Sequence, residues 1–471
     1  MHLRLEDAAK WLVGARTISN SSVSIERIHT DSRSVEAGDL FVALEGERFN
    51  AHDFLLEVSQ SGASAAMVAY GKSHPDIACV EVPDTRIGLG QLAKGWRNQL
   101  HLPVIAVTGS NGKTTVTQML GSILRSAFGD GALATQGNLN NEIGVPLTVL
   151  RLRKFHRCAV IELGMNHQGE IAQLAAMAQP TVALVNNAQR EHQEFMASVA
   201  AVAQENGEAI SALNADGIAV FPADDPHTAV WREQADKRVC MTFSMQPSQE
   251  ISNKADVFLT QAQWQGDHWK LEITTPQGNF KTKLHCAGRH NVSNALAAVT
   301  AALAAGIEIE KISQGLELFK PVKGRSLAYC IKLANKEVNV VDDTYNANPD
   351  SVKAAIDLLA ELPKPQMLVL GDMGEVGSQG PEFHKEVGLY AHLKGIDRVL
   401  CLGDLTISAA QACGTSAQHF SDIGALNLQV RKELPGISSL LVKGSRFMRM
   451  ERVLEALSNQ TEQDRQETTP C

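Results

Sequence analysis

Residues 104–115 read VIAVTGSNGKTT, an apolar run that stops at a glycine-rich loop ending in Gly-Lys-Thr. Such a loop points successive backbone N–H groups at phosphates, while its lysine neutralises charge and the next hydroxyl binds Mg²⁺. The candidate phosphate-binding residues are Gly109, Ser110, Asn111, Gly112, Lys113, Thr114 and Thr115. The stretch therefore predicts a buried strand followed by a loop that binds ATP or GTP.

The residues after the loop repeat apolar side chains at helical spacing. The repeat consists of Val116, Met119, Leu120, Ile123 and Leu124, which predicts the buried face of an α-helix. Strand, loop and helix thus come in the order that a phosphate-binding loop requires. One position departs from the usual G-x-x-x-x-G-K-[ST] pattern, because Val107 stands where glycine is usual. An ordinary strand-to-helix turn is therefore the alternative interpretation.

The bulk composition limits the function classes. A chain of 471 residues predicts about three domains, and no apolar run reaches the roughly 18 residues of a membrane span. The eight cysteines are scattered without a C-x-x-C pair, which indicates reduced thiols rather than a zinc site. A net charge of −9 without a basic block argues against nucleic acid as a partner. We therefore expect a cytoplasmic protein that is not inserted in a membrane and binds small ligands.

The pattern of apolar runs predicts an α/β fold with three domains. Residues 1–100 alternate short apolar and polar segments and predict a small α/β domain. Residues 101–320 predict a central nucleotide-binding domain, with parallel strands at 158–163 and 181–185 and an antiparallel meander at 256–286.

The remaining part of the chain predicts a third, doubly wound domain at 321–458. Its expected strands lie about 30 residues apart, the spacing of βαβ units, at 338–341, 367–370, 398–402 and 440–442. The polar tail, 459–471, is expected to be disordered.

Two polar residues follow predicted strands of the central domain. Glu162 ends the strand at 158–163, and His192 comes shortly after the strand at 181–185. The carboxyl ends of parallel strands meet at one edge of a sheet, so both side chains are expected near the loop. Glu162 is then a candidate Mg²⁺ ligand, or else simply a capped acid at a strand end. A single histidine is as readily a structural residue as a ligand.

Residues 253–256, Asn-Lys-Ala-Asp, match the guanine-reading N-K-x-D pattern of GTPases. That motif should follow a buried strand, whereas here it follows a polar segment. We interpret the match as coincidental and favour adenine.

Further motifs are spread over the second half of the chain. They lie at 288–296 (GRHNVSNAL), 323–325 (KGR), 342–349 (DDTYNANP), 371–375 (GDMGE) and 443–446 (KGSR). Together with the loop at 109–115 they resemble the Mur ligase superfamily. Two more stretches, 135–146 and the segment from Thr30 to Gly46, narrow the resemblance to members that act on UDP-N-acetylmuramoyl-tripeptide.

The resemblance implies a three-domain ligase that uses ATP and Mg²⁺. The expected substrates are UDP-N-acetylmuramoyl-tripeptide, bound partly by residues 1–100, and D-alanyl-D-alanine. The γ-phosphate would move to the tripeptide carboxylate, and the dipeptide amine would attack the acyl phosphate. The products would be the pentapeptide precursor of peptidoglycan, ADP and phosphate. A monomer is expected, in which the Rossmann-like third domain closes over ATP.

The resemblance also implies roles for single residues. Lys113 would hold the β and γ phosphates, Thr114 and Glu162 the first Mg²⁺, and His192 the second. The other implied roles are adenine contact by Asn291, ATP contact by Arg325 and Asp343, nucleotide-sugar binding by Ser32 and Arg33, muramoyl-peptide binding by Asn138, Asn140 and Asn141, and dipeptide binding by Asn348 and Ser351.

Each of these residues has a simpler interpretation. Arg325 and Asp343 could form a surface ion pair, and Asn291 could cap a helix. The asparagines at 138–141 could belong to a loop rich in turns.

The chain departs from the superfamily at Asn206. Alignment on His192 and Glu194 puts this asparagine where many members have a carbamylated, metal-bridging lysine, and residues 189–191 replace a shorter turn. Asparagine cannot be carbamylated. We therefore expect the second Mg²⁺ to be bound without a carbamate, through Asn206 or Glu205 and water.

Two other functions compete with the ligase interpretation. A folate polyglutamylating ligase shares the central and third domains but has no need of the Asp31-Ser32-Arg33 segment. A nucleotide-dependent switch would bind ATP without forming a bond. Glu162 and His192 at neighbouring strand ends favour chemistry over switching. The third residue of the tripeptide stays open.

Overall fold

The computed structural model describes residues 1–18, 22–191, 193–246, 254–333 and 336–458. Three separate α/β units follow one another along the chain, each built on its own large sheet. The predicted α/β class and the predicted order of units are therefore confirmed. The tail at 459–471 lies outside the described residues.

The first unit is a five-stranded sheet with order β2-β7-β6-β5-β4, in which only the β2–β7 pair is antiparallel. A short antiparallel ribbon joins β1 to β3. The elements are β1 Leu3–Arg4, α1 Leu5–Ala9, β2 Arg16–Ile18, β3 Ser24–Ile25, β4 Arg27–His29, β5 Asp39–Val42, α2 Leu55–Gln60, β6 Ala65–Ala69, β7 Ala78–Val82 and α3 Thr85–Arg97.

The second unit is a nine-stranded sheet with order β16-β15-β14-β13-β12-β11-β8-β10-β9. Its elements are β8 Val104–Thr108, α4 Lys113–Phe128, β9 Ala132–Ala134, α5 Gly144–Leu150, β10 Cys158–Glu162, α6 Glu170–Ala178, β11 Val182–Val185, α7 Val199–Ser211, β12 Ile218–Pro222, α8 Thr228–Ala235, β13 Val239–Ser244, β14 Val257–Trp264, β15 Trp269–Thr275, β16 Gly278–Leu284, α9 Arg289–Ala304 and α10 Ile309–Leu318.

The loop strand β8 lies between β10 and β11, and all three run parallel. This is the point where the strand order reverses, and ligands of open α/β sheets bind beyond the carboxyl ends of strands at that point. The predicted strands at 158–163 and 181–185 are β10 and β11. The predicted meander is β14–β16, which continues the parallel sheet through β13.

Helix α4 begins directly after the phosphate-binding loop and packs against the core of the second unit. The five apolar residues predicted to form its buried face are all fully buried. Helix α4 also packs against α10, so closely that a Cβ on Gly315 would lie 2.3 Å from the Ile123 Cα. Glycine at 315 is therefore needed for this approach. The buried face of α4 thus anchors the helix that follows the loop in the core of the domain.

The third unit is a six-stranded sheet with order β17-β18-β22-β19-β20-β21, parallel except for the edge pair β17–β18. All four predicted strands are present, as β18, β19, β20 and β22. The elements are β17 Leu327–Leu333, β18 Lys336–Asp343, α11 Pro349–Ala360, β19 Gln366–Gly371, α12 Gly380–Leu393, β20 Arg398–Leu402, α13 Thr406–Cys413, β21 Ala417–Phe420, α14 Ile423–Glu433 and β22 Ser439–Lys443, and residues 451–458 are also helical.

Two bulk expectations can be compared with the described residues. The seven cysteines among them are all free, and five are buried. Within the same residues, none of the helices has the length and apolar character needed to cross a bilayer.

Candidate active site

The loop after β8 leaves the start of α4 open to a ligand. Gly112 is the N-cap of α4, at φ +82°, and it has no side chain to occupy the first N–H groups of the helix. A helix N-terminus with free N–H groups is a favourable position for phosphate. A Cβ on Gly112 would lie 2.4 Å from the Asn294 Oδ1, so glycine is required by space as well as by conformation.

Lys113 is the first residue of α4 and lies partly buried beside the loop. Its ammonium group donates to the Ser110 carbonyl at 3.2 Å and to the Glu191 Oε2 at 3.0 Å. The Lys113 side chain is 15% exposed and that of Glu191 is 7% exposed. The ion pair thus fixes the lysine at the loop, and Glu191 is a site residue that sequence reasoning missed.

The end of β10 brings a carboxylate to the same place. Glu162 Oε1 accepts hydrogen bonds from Thr114 Oγ1 at 3.0 Å and from Asn140 Nδ2 at 2.8 Å. Its other oxygen, Oε2, is buried and has no hydrogen-bond partner among the described residues. A buried carboxylate oxygen beside a threonine hydroxyl matches the oxygen ligands that Mg²⁺ prefers. The residues therefore fit a divalent cation between the loop and β10.

Two of the expected ligands of a second metal, Asn206 and Glu205, do not line the cavity. Asn206 Oδ1 accepts from the Gly109 N–H at 2.8 Å. The two carboxylate oxygens of Glu205 accept from the Gly169 and Ile171 N–H groups at the start of α6. These oxygens therefore hold backbone N–H groups away from the cavity wall, and a role of Asn206 or Glu205 in binding a second Mg²⁺ stays a prediction. His192 lies outside the described residues.

A chain of side-chain amides joins the loop to the start of α9. Asn186 donates to Asn294 Oδ1 at 2.9 Å, and Asn294 donates to Asn291 Oδ1 at 3.0 Å. Asn291 in turn donates to the Ala287 carbonyl at 2.8 Å. The interpretation of Asn291 as a helix cap is wrong, because Gly288 is the N-cap of α9.

The third domain contributes a charged cluster. Asp343 accepts from Lys443 Nζ at 2.6 Å and from the Ser326 N–H at 2.9 Å. Burial opposes ionisation of Asp343, but the Lys443 ammonium together with His290 and the Ser326 N–H lowers the pKa of Asp343 below its usual value. The guanidinium of Arg325 lies over the Tyr345 ring, 4.1 Å from its centroid. The alternative of an Arg325–Asp343 surface pair is therefore wrong, since each has another partner.

Two of the asparagines predicted to bind substrate peptides, Asn141 and Asn348, hold the starts of helices. Asn141 Oδ1 accepts from the Gly144 N–H at 2.9 Å, at the start of α5. Asn348 is the N-cap of α11 and forms a capping box with Ser351. The side chain of Asn348 also donates to Asn111 Oδ1 at 2.9 Å, which ties the third domain to the loop.

These groups surround one cavity of about 1160 Å³ between the central and third domains. The predicted residues that line it are Ser110, Asn111, Gly112, Lys113, Thr114, Thr115, Asn138, Asn140, Asn141, Glu162, Asn291, Arg325, Asp343, Asn348 and Ser351. Gly109 lies behind this surface, with its N–H turned to Asn206. Arg86 of α3, in the first domain, also lines the cavity.

Two predicted residues lie elsewhere. Ser32 and Arg33 belong to a short helical turn of the first domain and do not line the cavity. The Arg33 guanidinium is highly exposed and pairs with Asp31 at 2.7 Å. Asp256 of the guanine-type motif bonds Thr242 instead of facing the cavity, and Asn253 lies outside the described residues.

The chain matches two family models. The model described as the Mur ligase middle domain covers residues 107–302, and the Mur ligase glutamate ligase domain covers residues 330–446. Both matches fall on the units that form the cavity.

Individual relatives resemble the chain over nearly its whole length. A UDP-N-acetylmuramoyl-tripeptide–D-alanyl-D-alanine ligase of Escherichia coli K12 is 39% identical over 93% of this chain and 95% of its own. A crystal structure of MurF from Acinetobacter baumannii superposes with a TM-score of 0.87, at 36% identity over 97% of this chain and 99% of the other. MurF of Thermotoga maritima in complex with ADP gives a TM-score of 0.80, at 27% identity over 93% of this chain and 98% of the other. The chain therefore belongs to the Mur ligase family.

Proposed function

We propose that this chain is an ATP-dependent ligase that joins D-alanyl-D-alanine to UDP-N-acetylmuramoyl-tripeptide. The observation that carries the proposal is a single cavity that combines the phosphate loop, the Glu162 carboxylate and the Asp343 cluster of the third domain. The similarity to ligases of that name over almost the entire chain supports the choice of substrates.

The nucleotide is ATP, and the residues near α9 support this choice. Lys113 and the N–H groups at the start of α4 take the β and γ phosphates. Asn291 lies on the cavity wall at the start of α9, where an amide can meet an adenine edge. Arg325 and Asp343 meet the nucleotide from the third domain.

The cation is Mg²⁺, held by Thr114 Oγ1 and by Glu162. When bound there, Mg²⁺ neutralises phosphate charge during transfer. The unpartnered Oε2 of Glu162 supports this assignment, because a buried carboxylate oxygen is costly to leave unsatisfied. His192 is proposed as a further ligand from its sequence position alone.

The reaction proceeds by two displacements. A carboxylate oxygen of the tripeptide attacks the γ-phosphorus, and the bond from that phosphorus to the bridging oxygen of ADP breaks. The dipeptide amine then attacks the carbonyl carbon of the acyl phosphate, loses a proton and expels inorganic phosphate. The protein supplies positioning and fixed positive charge: Lys113 and the N–H groups of α4 lie on the loop side and Arg325 on the opposite side.

Each of the three units has its own part in substrate binding. Residues 1–100 bind the uridine nucleotide through Ser32 and Arg33, residues 101–320 bind ATP, and residues 321–458 close the site. Asn138, Asn140 and Asn141 face the muramoyl peptide. Asn348 and Ser351 face the dipeptide.

Two alternatives lead to different measurements. A folate polyglutamylating ligase would add glutamate and ignore uridine nucleotides, whereas the relatives named above match the first domain as well. A nucleotide-dependent switch would hydrolyse ATP without either substrate. We place the enzyme in the cytoplasm as a monomer that contributes to peptidoglycan synthesis and thereby to cell shape and division.

The first prediction concerns turnover. Phosphate release from Mg-ATP should require both UDP-N-acetylmuramoyl-tripeptide and D-alanyl-D-alanine, with the pentapeptide detected by mass. Lys113→Ala should lower kcat/KM by about 100-fold or more, because a fixed charge at the transferring phosphate is lost. Lys311→Ala, on the exposed side of α10, is the control. Phosphate release that ignores both substrates would refute the ligase and favour the switch.

The second prediction concerns the cation. Glu162→Gln keeps the shape of the side chain and removes its charge, so affinity for Mn²⁺ in place of Mg²⁺ should fall at least about tenfold. Binding is measured by electron paramagnetic resonance of Mn²⁺ with ADP present, and Glu317→Gln on α10 is the control. Equal Mn²⁺ affinity in Glu162→Gln and the native chain would rule out Glu162 as a ligand.

The third prediction concerns the first domain. Arg33→Ala should raise KM for UDP-N-acetylmuramoyl-tripeptide by about tenfold, because one charged hydrogen bond to the diphosphate is lost. The KM for ATP should stay unchanged, as should both constants in Arg4→Ala, an exposed arginine of the same domain. A rise in the KM for ATP, or no effect on the nucleotide-sugar, would contradict the assignment of Arg33.

A further inference from the structure

Arg190 links the central domain to the third domain through two carboxylates. Its guanidinium donates to Asp350 through Nη2 at 2.6 Å and through Nε at 3.1 Å. The same guanidinium donates to Glu386 through Nη1 at 2.7 Å and through Nη2 at 3.2 Å. Asp350 lies in α11 and Glu386 in α12, so a single side chain holds two helices of the neighbouring domain.

The surroundings favour a fixed arrangement over a loose surface contact. The Arg190 backbone N–H also donates to Asp350, at 2.9 Å. The guanidinium lies 5.3 Å from the centroid of the Phe383 ring, and Lys353 pairs with Glu386 from the other side. Bidentate, partly buried arginine–carboxylate pairs in a network are the ion pairs that contribute measurably.

The neighbours of Arg190 in the chain contact the phosphate loop. Gln189 accepts from Ser110 Oγ through its carbonyl at 3.1 Å and donates its N–H to the same oxygen at 2.8 Å. On the other side, Glu191 pairs with Lys113. Residues 189–191 therefore connect the loop on one side with the third domain on the other.

The carboxylate that Arg190 holds belongs to the first turn of α11. Asp350 follows the N-cap Asn348 by two residues, and Asn348 is itself bonded to Asn111 of the loop. The start of α11 is thus attached to the loop directly, by the Asn348–Asn111 hydrogen bond. It is attached a second time through Arg190, whose neighbours Gln189 and Glu191 contact the loop.

We propose that Arg190 is a positioning residue that fastens the start of α11, and with it the third domain, against the phosphate loop during ligation. The inference rests on the proposed ligase function. The inference adds that closure of the third domain over the phosphate loop depends on residues 189–191, the segment that departs from the family pattern. Arg190 itself does not line the cavity, so its effect is exerted through Asp350, which does.

The test compares Arg190→Ala, Arg190→Lys and Glu386→Gln with the native chain. Arg190→Ala should lower kcat at least about tenfold, the order of effect expected when reacting groups are misplaced. Affinity for ADP, measured by calorimetry, should change less than about twofold, because the loop and α4 remain intact. Arg190→Lys should recover part of kcat, since lysine keeps the charge but not the bidentate geometry.

A second readout does not depend on turnover. Small-angle X-ray scattering with ADP and Mg²⁺ should give a larger radius of gyration for Arg190→Ala than for the native chain. Arg398→Ala is the matched control, because Arg398 forms a bidentate pair with Glu433 inside the third domain, at 2.7 and 2.8 Å and with similar burial. That control should keep kcat and the native radius, even where its melting temperature falls.

The outcomes separate the two proposals. Failure of the native chain to ligate would refute the proposed function, and the scattering comparison would still decide whether Arg190 holds the domains together. Native kcat and native radius in Arg190→Ala would overturn the positioning role. If Arg190→Ala does not fold, Glu386→Gln decides by the same two measurements, because it removes one of the two anchors and leaves the arginine in place.

Discussion

The cavity depends on a close approach between the phosphate loop and the start of α9. At Gly112 the backbone comes so near Asn294 that a single added carbon would meet its amide oxygen. This contact lets Asn186 and Asn294 connect the loop to Asn291, and so places the start of α9 at the cavity wall beside the loop. The third domain reaches the same cavity through the hydrogen bond from Asn348, at the start of α11, to Asn111 of the loop.

Much of the fold could be predicted because local patterns determine it. The apolar spacing of α4 and the uninterrupted apolar strands β10, β11, β19 and β20 are signals that do not depend on distant residues. The start of α9 lacks such a signal, because the helix begins at Arg289 with a polar turn whose residues Asn291 and Asn294 line the cavity. Edge strands such as β17 and β21, which are only partly buried, lack a clear apolar pattern.

The location of most site residues was also predictable, but their partners were not. The loop motif and the strand-end rule placed Lys113 and Glu162 correctly at the cavity. No sequence rule indicates that Asp343 pairs with Lys443, 100 positions away, or that Asn206 accepts from the Gly109 N–H, 97 positions away. The same holds for Glu205, whose N–H partners lie 36 and 34 positions away. Local sequence patterns carry no information on contacts at such separations. In the sequence, residues 189–191 stand out only as a segment that replaces a shorter turn of the family. Their contacts to the loop on one side and to the third domain on the other are visible only in the folded structure.

The central claim is that ATP is used to activate the tripeptide carboxylate, and its most direct test follows one oxygen atom. UDP-N-acetylmuramoyl-tripeptide labelled with ¹⁸O in its terminal carboxylate is converted with unlabelled ATP and D-alanyl-D-alanine, and the released phosphate is analysed by mass. An acyl-phosphate pathway transfers one labelled oxygen to each phosphate and leaves the other in the new amide. Phosphate without label would show that ATP is cleaved by water, and would contradict the account.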